Sequence, residues 1–154
     1  MGSKVTVKPS GLTLMPSHSY LGASADGIIT HVDRPSNPGV LEIKCPFSVH
    51  GESVRTMPPL DIAKRDPSFH LDRDGHLKKE HNYYYQVQGE MAVKGCKWAH
   101  FTTWTHATNN NILVEEIKFD AELWHSTILP KLQQFYVDTL APEILLRKLQ
   151  PLHA

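Results

Sequence analysis

The sequence has little cysteine, no extended apolar stretch and no surplus of positive or negative charge. Its only two cysteines, Cys45 and Cys96, are too few for a disulfide framework and form no CxxC pair. A reduced intracellular setting is therefore expected, without a choice between nucleus and cytoplasm. No segment approaches the roughly 20 consecutive apolar residues that a membrane-spanning helix needs. No signal-peptide pattern is present either.

The charge balance restricts the mode of nucleic-acid binding. Sixteen basic residues stand against 16 acidic ones, so the formal net charge is zero, which weighs against a protein that coats nucleic acid non-specifically. A local basic groove stays compatible with this balance, because phosphate binding depends on where the cations lie. The 154 residues, 40% of them hydrophobic, suit one globular domain. Residues 1–10 are expected to be a tag or linker remnant and residues 11–150 the domain.

Strand-like and helix-like segments follow one another in a mixed order. Strands are predicted over residues 11–15, 25–32, 40–45, 97–105 and 112–119. Turn-forming residues at 34–39 indicate that the second and third strands form a hairpin. A helix is predicted over residues 80–93, ended by Gly95, and another after an Asp120 N-cap with a kink or break at Pro130. Residues 47–67 indicate a short helix or irregular segment, and residues 70–77 a small hairpin. This order predicts a mixed α/β domain (α+β in parts) with a central mixed sheet flanked by helices.

Glu42 and Lys44 are the first pair that suggests chemistry. Side chains alternate along a strand, so both project from one face, about 6.6 Å apart at Cα, while Leu41, Ile43 and Cys45 are expected to point into the core. A carboxylate can bind a hard cation, and an ammonium beside it can support a nucleophilic water or developing phosphoryl charge. Taken alone, such a pair is far more often an ordinary surface ion pair, so its context has to decide.

Asp26 provides a second carboxylate near the same place. It begins the strand predicted to pair with the Glu42 strand, and hairpin geometry can bring both acids side by side. Two carboxylates that close repel each other unless a cation lies between them, which indicates Mg²⁺ or Mn²⁺. The competing interpretation is a turn-forming aspartate before Gly27, and both interpretations stay open on this evidence.

Three motifs in order resemble those of one nuclease family. They are residues 21–27 (LGASADG), 39–46 (GVLEIKCP) and 83–91 (YYYQVQGEM), the last with the pattern Y-x-x-Q-x-Q-x-x-M. With the two strands and long helix that follow, they resemble the core of the YqaJ-type viral recombinase nucleases. That family includes the lambda exonuclease and belongs to the PD-(D/E)XK superfamily. The resemblance covers residues 11 to 140 and implies a restriction-endonuclease-like core.

The resemblance also implies roles for individual residues. Asp26 and Glu42 would be the metal-binding carboxylates, completed by the backbone carbonyl of Ile43, with Mg²⁺ or Mn²⁺ as the cofactor. Lys44 would be the catalytic lysine and Gln86 the helix glutamine that reaches the site. The implied reaction is hydrolysis of DNA phosphodiesters by an activated water, commonly from the ends of linear duplex in the 5′-to-3′ direction.

Helix geometry separates two glutamines of the third motif. Gln86 and Gln88 lie about 200° apart around a helix, so they cannot both face the site. We favour Gln86, with Tyr83 nearby, and expect Gln88 to satisfy buried polar groups. Ser24, Tyr83 and Gln88 are candidates for supporting the metal ligands or contacting DNA.

Two departures from the family bear on activity. Ala25 stands where the family usually has a proline, which should change loop stiffness more than chemistry. Residues 1–10 also match nothing in the N-terminal helical region, which in the family carries an arginine for the DNA end and a further acid. The chain is therefore expected to fold and bind one metal but to cleave poorly.

Several reactive residue types are assigned to structure. His70, His76 and His81 have no standard zinc-ligand spacing and are predicted to lie on a hairpin surface. His100 is expected to pack beside Trp98. Cys45, on the predicted core side of its strand, is expected to be a small buried thiol.

Two other functions compete with a DNA exonuclease. One is a catalytically weak or inactive module of the same fold that binds DNA or protein. The other is a sequence-specific endonuclease, for which the sequence offers no base-reading element. The expected partner is linear duplex DNA at its ends, and no membrane. The family resemblance further implies a homo-oligomeric ring and a recombination partner protein.

Overall fold

A mixed sheet of five strands is the scaffold on which the candidate site residues lie. The molecule is represented by a computed structural model that describes residues 4–46, 48–49, 52–53, 57–105 and 111–149. The chain divides into two units, Met1–Phe119 and Asp120–Ala154. Within the described residues the first unit holds the strands and two helices, and the second is helical.

The order of strands in the sheet differs from their order in the chain. The elements are β1 (Val5–Lys8), β2 (Thr13–Met15), β3 (His18–Ala23), β4 (Gly27–His31), β5 (Gly39–Lys44), β6 (Ser48–Val49), β7 (Glu52–Ser53), α1 (Pro59–Arg65), α2 (Asn82–Lys94), β8 (Trp98–Trp104) and β9 (Ile112–Lys118). The sheet has the order β1-β4-β5-β8-β9, while β2 pairs with β3 and β6 with β7. Strands β5 and β8 run parallel, and the other neighbours are antiparallel. The predicted mixed sheet with helices beside it is confirmed.

The hairpin expected between the second and third predicted strands is present as β4 and β5. Gly27 pairs with Leu41 in antiparallel register. Asp26, the residue before β4, therefore stands opposite Glu42 when the same register is continued. This pairing is what brings two acids close together although 15 residues of chain separate them.

Helix α2 packs beside the sheet and carries the third motif. It was predicted over residues 80–93, and its start is capped by His81, whose Nδ1 accepts a hydrogen bond from the backbone nitrogen of Tyr83 at 3.2 Å. Gly95 ends it with φ of 69°, in the left-handed region that glycine enters without steric penalty. The buried residues of α2 are Tyr84, Val87, Gln88, Glu90, Met91 and Val93. The helix thus buries a carboxyl group and an amide, which both need partners.

The two faces of β5 are reversed relative to the prediction. Glu42 is 3% exposed, whereas Ile43 is 39% exposed and Cys45 is also exposed. The expectation that Ile43 and Cys45 point into the core, with Cys45 as a buried thiol, was wrong. The reason is that α2 covers the other face, where Gln86 donates a hydrogen bond to Glu42. The carboxylate, rather than the thiol, is enclosed.

Four strands, β1, β3, β6 and β7, were not predicted from the sequence. β1 lies inside residues 1–10, which were expected to be a tag or linker, yet Val5–Lys8 pairs along its full length with β4. β3 forms a hairpin with β2, and its residues are half-buried or exposed, so no strong alternation marked it. The predicted small hairpin at residues 70–77 is present as a bridge between Leu71 and Leu77. The described part of the 47–67 segment contains β6, β7 and α1, while residues 47, 50–51 and 54–56 lie outside the described ones.

The second unit is a helical run with two π-helical turns. Its elements are α3 (Ala121–Leu123), a π turn (Trp124–Ile128), α4 (Leu129–Phe135), a second π turn (Tyr136–Leu140) and α5 (Ala141–Leu149). Asp120 caps the start, as predicted, by accepting a hydrogen bond from the nitrogen of Leu123 at 2.9 Å. Before Pro130 the nitrogen of Leu129 bonds to the oxygen of Trp124, one residue farther back than in an α-helix. The chain therefore stays helical through the proline. Among the described residues, no helix combines the length and apolar character needed to cross a bilayer.

Candidate metal and catalytic site

Asp26 is fixed against β5 by a backbone contact. Its Oδ2 accepts a hydrogen bond from the backbone nitrogen of Ile43 at 2.7 Å. Ile43 lies between Glu42 and Lys44, so this bond holds the Asp26 carboxylate at the segment that carries both other candidates. The turn-forming interpretation of Asp26 therefore gives way to one in which its side chain reaches across the hairpin.

Glu42, Lys44 and Gln86 form a closed set of hydrogen bonds. The Lys44 ammonium donates to Glu42 Oε1 at 2.6 Å and to Gln86 Oε1 at 3.0 Å. The Gln86 amide nitrogen donates to the same Glu42 oxygen at 2.7 Å. Lys44 Nζ also lies 4.5 Å from the centre of the Tyr83 ring, a cation–π contact. The structure thus brings together the four residues that the sequence singled out on β5 and α2.

Two buried carboxylate oxygens of this site lack a hydrogen-bond partner among the described residues. They are Oε2 of Glu42 and Oε2 of Glu90. Burying an oxygen of an ionised carboxylate without a partner is costly, so a positive ligand is expected there. The Asp26 carboxylate is held at Ile43, the residue after Glu42, and carboxylate oxygens are the type of donor that Mg²⁺ and Mn²⁺ prefer. The residues present therefore fit a hard divalent cation.

Glu90 is a member of the site that sequence reasoning did not assign. Its Oε1 accepts a hydrogen bond from Gln86 at 2.9 Å, so the Gln86 amide links two acids. Burial raises the pKa of Glu90 to about 7; the Gln86 hydrogen bond opposes this shift, and the Glu42 carboxylate adds to it. The signal available in the sequence was the spacing of four residues between Gln86 and Glu90, which puts both on one side of a helix.

We expect Glu90→Gln to stabilise the metal-free protein at alkaline pH. Because the folded-state pKa is raised from 4.5 to about 7, folding loses stability as pH rises through that interval and stays weakened above it. The neutral amide removes that loss, so the variant should gain about 1–3 kcal/mol at pH 8 and no more than a few tenths at pH 4. Urea unfolding in EDTA at both pH values measures this. The exposed Glu80→Gln is the control, and an equal gain in both variants would contradict the assignment.

His70 is buried beside the site, contrary to the prediction of a hairpin surface. Its Nε2 lies 2.8 Å from Thr103 Oγ1, and its ring is 5.3 Å from that of Tyr83. Burial lowers the pKa of His70 to about 3, with the charges of His81 and Lys44 adding to the effect. The imidazole is therefore neutral and supports the Tyr83 ring on which the lysine rests. The contact with Thr103 joins distant parts of the chain, so no local pattern could have shown it.

Gln88 turns away from the site, as helix geometry predicted. It is fully buried (0% exposed) and its Nε2 donates to the backbone oxygen of Lys118 at 3.1 Å. This bond gives a partner to the backbone oxygen of Lys118 at the end of β9. Gln86 is therefore the glutamine that contacts the carboxylates. Ser24 is exposed two residues before Asp26.

Replacement of Gln88 should reduce stability, whereas replacement of Gln86 should reduce activity. Gln88→Ala removes a buried hydrogen bond and leaves a cavity, so the free energy of unfolding should fall by about 2–3 kcal/mol with Mn²⁺ affinity unchanged. Gln86→Ala should lose less than about 1 kcal/mol, because Gln86 is exposed, yet weaken activity. Urea unfolding and calorimetry with Mn²⁺ separate them. Equal losses of stability in the two variants would contradict the assignment of Gln88 to the core and Gln86 to the site.

Comparison with solved structures identifies the fold of this chain. The fold of this chain is that of a nuclease. An alkaline exonuclease (LHK-Exo) from Laribacter hongkongensis superposes on it with a TM-score of 0.63 at 23% sequence identity, and the match covers 94% of this chain and 62% of that one. Its complex with dAMP gives 0.66 at 24% identity over the same shares. The chain thus spans 62% of the length of that exonuclease.

The family follows from the sequence match. Residues 1–97 match the YqaJ-like viral recombinase domain, so this chain belongs to the YqaJ-like viral recombinase family, as its three motifs indicated. No curated protein matches the chain.

Proposed function

We propose that this chain is a Mg²⁺- or Mn²⁺-dependent deoxyribonuclease that degrades linear duplex DNA from its ends in the 5′-to-3′ direction. The observation that carries the proposal is the hydrogen bond of Asp26 to the nitrogen of Ile43. This contact supports the proposal, because it ties the Asp26 carboxylate to the residue that lies between Glu42 and Lys44. Membership of the viral recombinase family and the fold shared with an alkaline exonuclease support DNA as the substrate.

The metal ligands in this proposal are Asp26, Glu42 and the backbone carbonyl of Ile43. A bound divalent cation supplies Lewis-acid stabilisation of the phosphate that is attacked. Asp26 contributes the carboxylate oxygen that is not hydrogen-bonded to the backbone, and Glu42 contributes Oε2, which has no hydrogen-bond partner among the described residues. Each acid thus has one oxygen anchored by the protein and one left for a ligand.

Lys44 has the position of an electrostatic catalyst. Its ammonium is held by Glu42 and Gln86 and rests on Tyr83, so its direction is set before substrate arrives. A preorganised cation stabilises charge that develops on the phosphate without a reorganisation cost during the reaction. Gln86 positions this lysine and ties it to Glu90, while exposed Ser24 is proposed to contact the DNA backbone.

Attack from an end agrees with the ligand of one relative. The alkaline exonuclease has been crystallised with dAMP, a mononucleotide of the size that stepwise digestion releases. A ring-shaped oligomer, a recombination partner protein and an intracellular location stay predictions. The second candidate function is a module of the same fold that binds DNA with little cleavage, which a match of the fold alone would equally allow.

Duplex DNA labelled at either end tests the proposal. Linear duplex carrying a 5′ or a 3′ label, and a closed circle of the same sequence, are incubated with Mn²⁺ or with EDTA. We expect rapid release of the 5′ label as mononucleotide, late loss of the 3′ label, an intact circle, and no reaction in EDTA. Nicking of the circle would indicate an endonuclease instead. Binding of Mn²⁺ and DNA without any cleavage would indicate the inactive module.

A further inference from the structure

A second cluster of ligand-type side chains lies on the face of the sheet opposite to Glu42. Phe101 pairs with Glu42, so His100, one residue earlier on β8, points to the other face. Glu116 pairs with His100 across β8 and β9 and shares that face. His31, at the end of β4, joins them with its ring centre 5.4 Å from that of His100. Three strands therefore bring two imidazoles and a carboxylate together.

We propose that His31, His100 and Glu116 form a binding site for one divalent transition-metal ion, with Zn²⁺ as the preferred cation. One ligand atom from each residue lies within 4.8 Å of the others. Two histidines and a carboxylate with an open fourth position are a known zinc donor set, and imidazole favours Zn²⁺ over Mg²⁺. Ligands of a tetrahedral zinc ion lie roughly 3.3 Å apart, so small side-chain rotations would bring these atoms onto one ion.

A buried nitrogen without a partner supports the proposal independently. His31 is 8% exposed, and its Nε2 has no hydrogen-bond partner among the described residues. A buried polar atom of this kind is rare in folded proteins and is costly to leave unsatisfied. Donation of the Nε2 lone pair to a metal ion would satisfy this atom. His100, on the same face, has Nε2 at 3.9 Å from Glu116 Oε2.

Arg34 explains how the cluster is held together without a metal. Its guanidinium donates to Glu116 Oε2 at 2.6 Å and lies 4.5 Å from the centre of the Trp98 ring. The ion pair keeps the carboxylate beside the histidines, yet it competes for the oxygen that a cation would use. Trp98 packs in turn on Gly39, where a Cβ atom would come within 2.5 Å of the indole. Because Arg34 competes for the Glu116 carboxylate, removal of the arginine charge should strengthen metal binding.

Zinc titration of the whole chain tests the site. The protein is stripped with EDTA, and Zn²⁺ is titrated by calorimetry in excess Mg²⁺, which occupies the proposed nuclease site. We expect one high-affinity Zn²⁺ per chain, at least tenfold weaker binding in His100→Gln and Glu116→Gln, and tighter binding in Arg34→Gln. His76→Gln is the matched control, because its ring also pairs with a glutamate, Glu115, at 3.1 Å but is outside the three-residue cluster.

The outcomes of this titration are independent of nuclease activity. Absence of Zn²⁺ binding in excess Mg²⁺, or binding that is unchanged in both His100→Gln and Glu116→Gln, would overturn the site. Weakening by His76→Gln as strong as that by His100→Gln would likewise overturn it, since it would indicate surface histidines in general. The two decisive variants alter partly exposed side chains, and circular dichroism confirms that they are folded.

Discussion

The Lys44→Ala variant should cleave linear duplex DNA about a hundred- to a thousandfold more slowly than the parent protein in Mn²⁺. Removal of one preorganised charge-stabilising group from an active site typically has an effect of this size. The lysine is well placed for it, since its ammonium lies 2.6 Å from Glu42 and 3.0 Å from Gln86. Single-turnover cleavage of end-labelled duplex measures the loss. Mn²⁺ binding should persist, because the lysine is not among the proposed metal ligands.

Lys97→Ala is the matched control for this experiment. Lys44 pairs with Thr103 near the end of β8, whereas Lys97 precedes that strand, about 20 Å away along it. The Lys97 ammonium lies over the Phe119 ring, outside the carboxylate cluster. Its loss should change the cleavage rate less than about threefold, the range of one exposed phosphate contact at most. A Lys44→Ala protein as active as the Lys97→Ala protein would remove the lysine from the mechanism.

Glu42→Gln should abolish the stabilisation of the fold by Mn²⁺. A cation that binds only the folded state at a hundred times its dissociation constant adds about 2.7 kcal/mol to the free energy of unfolding. The amide keeps the shape of Glu42 and removes the negative charge of its carboxylate, including the buried oxygen that lacks a partner. Thermal unfolding with and without Mn²⁺ measures the difference, and cleavage should be lost with it.

An exposed glutamate shows whether this effect is specific. Glu122 lies in the second unit, at the first turn of α3, and is exposed. Glu122→Gln should keep the full Mn²⁺-dependent rise in Tm. If Glu42→Gln keeps it as well, the cation binds elsewhere and Glu42 is not a ligand.

The hairpin and the helix that carry the site residues were predictable, because short sequence patterns mark where each of them turns or ends. Turn-forming residues between β4 and β5 indicated the hairpin, and Gly95 indicated the end of α2. Once these elements are placed, the register sets Asp26 opposite Glu42. The separation of Gln86 from Gln88 followed from helix geometry alone, and the contact of Gln88 with Lys118 agrees with it.

The burial of each face of β5 was not predictable in the same way. Leu41, Ile43 and Cys45 form the more apolar set, so local alternation assigned them to the core. Which face is covered depends on where α2 packs, and that is decided by contacts between residues far apart in the sequence, such as Gln86 with Glu42. The inclusion of His70 and the shifted pKa of Glu90 arise from the same long-range packing.

Anomalous diffraction from crystals grown with Mn²⁺ tests the central claim most directly. We expect a peak within about 2.2 Å of oxygens from Asp26, Glu42 and the Ile43 backbone, and its loss in crystals of Asp26→Asn protein. A peak at other residues, or one that persists unchanged in the Asp26→Asn protein, would contradict the assignment of these two acids as the metal site.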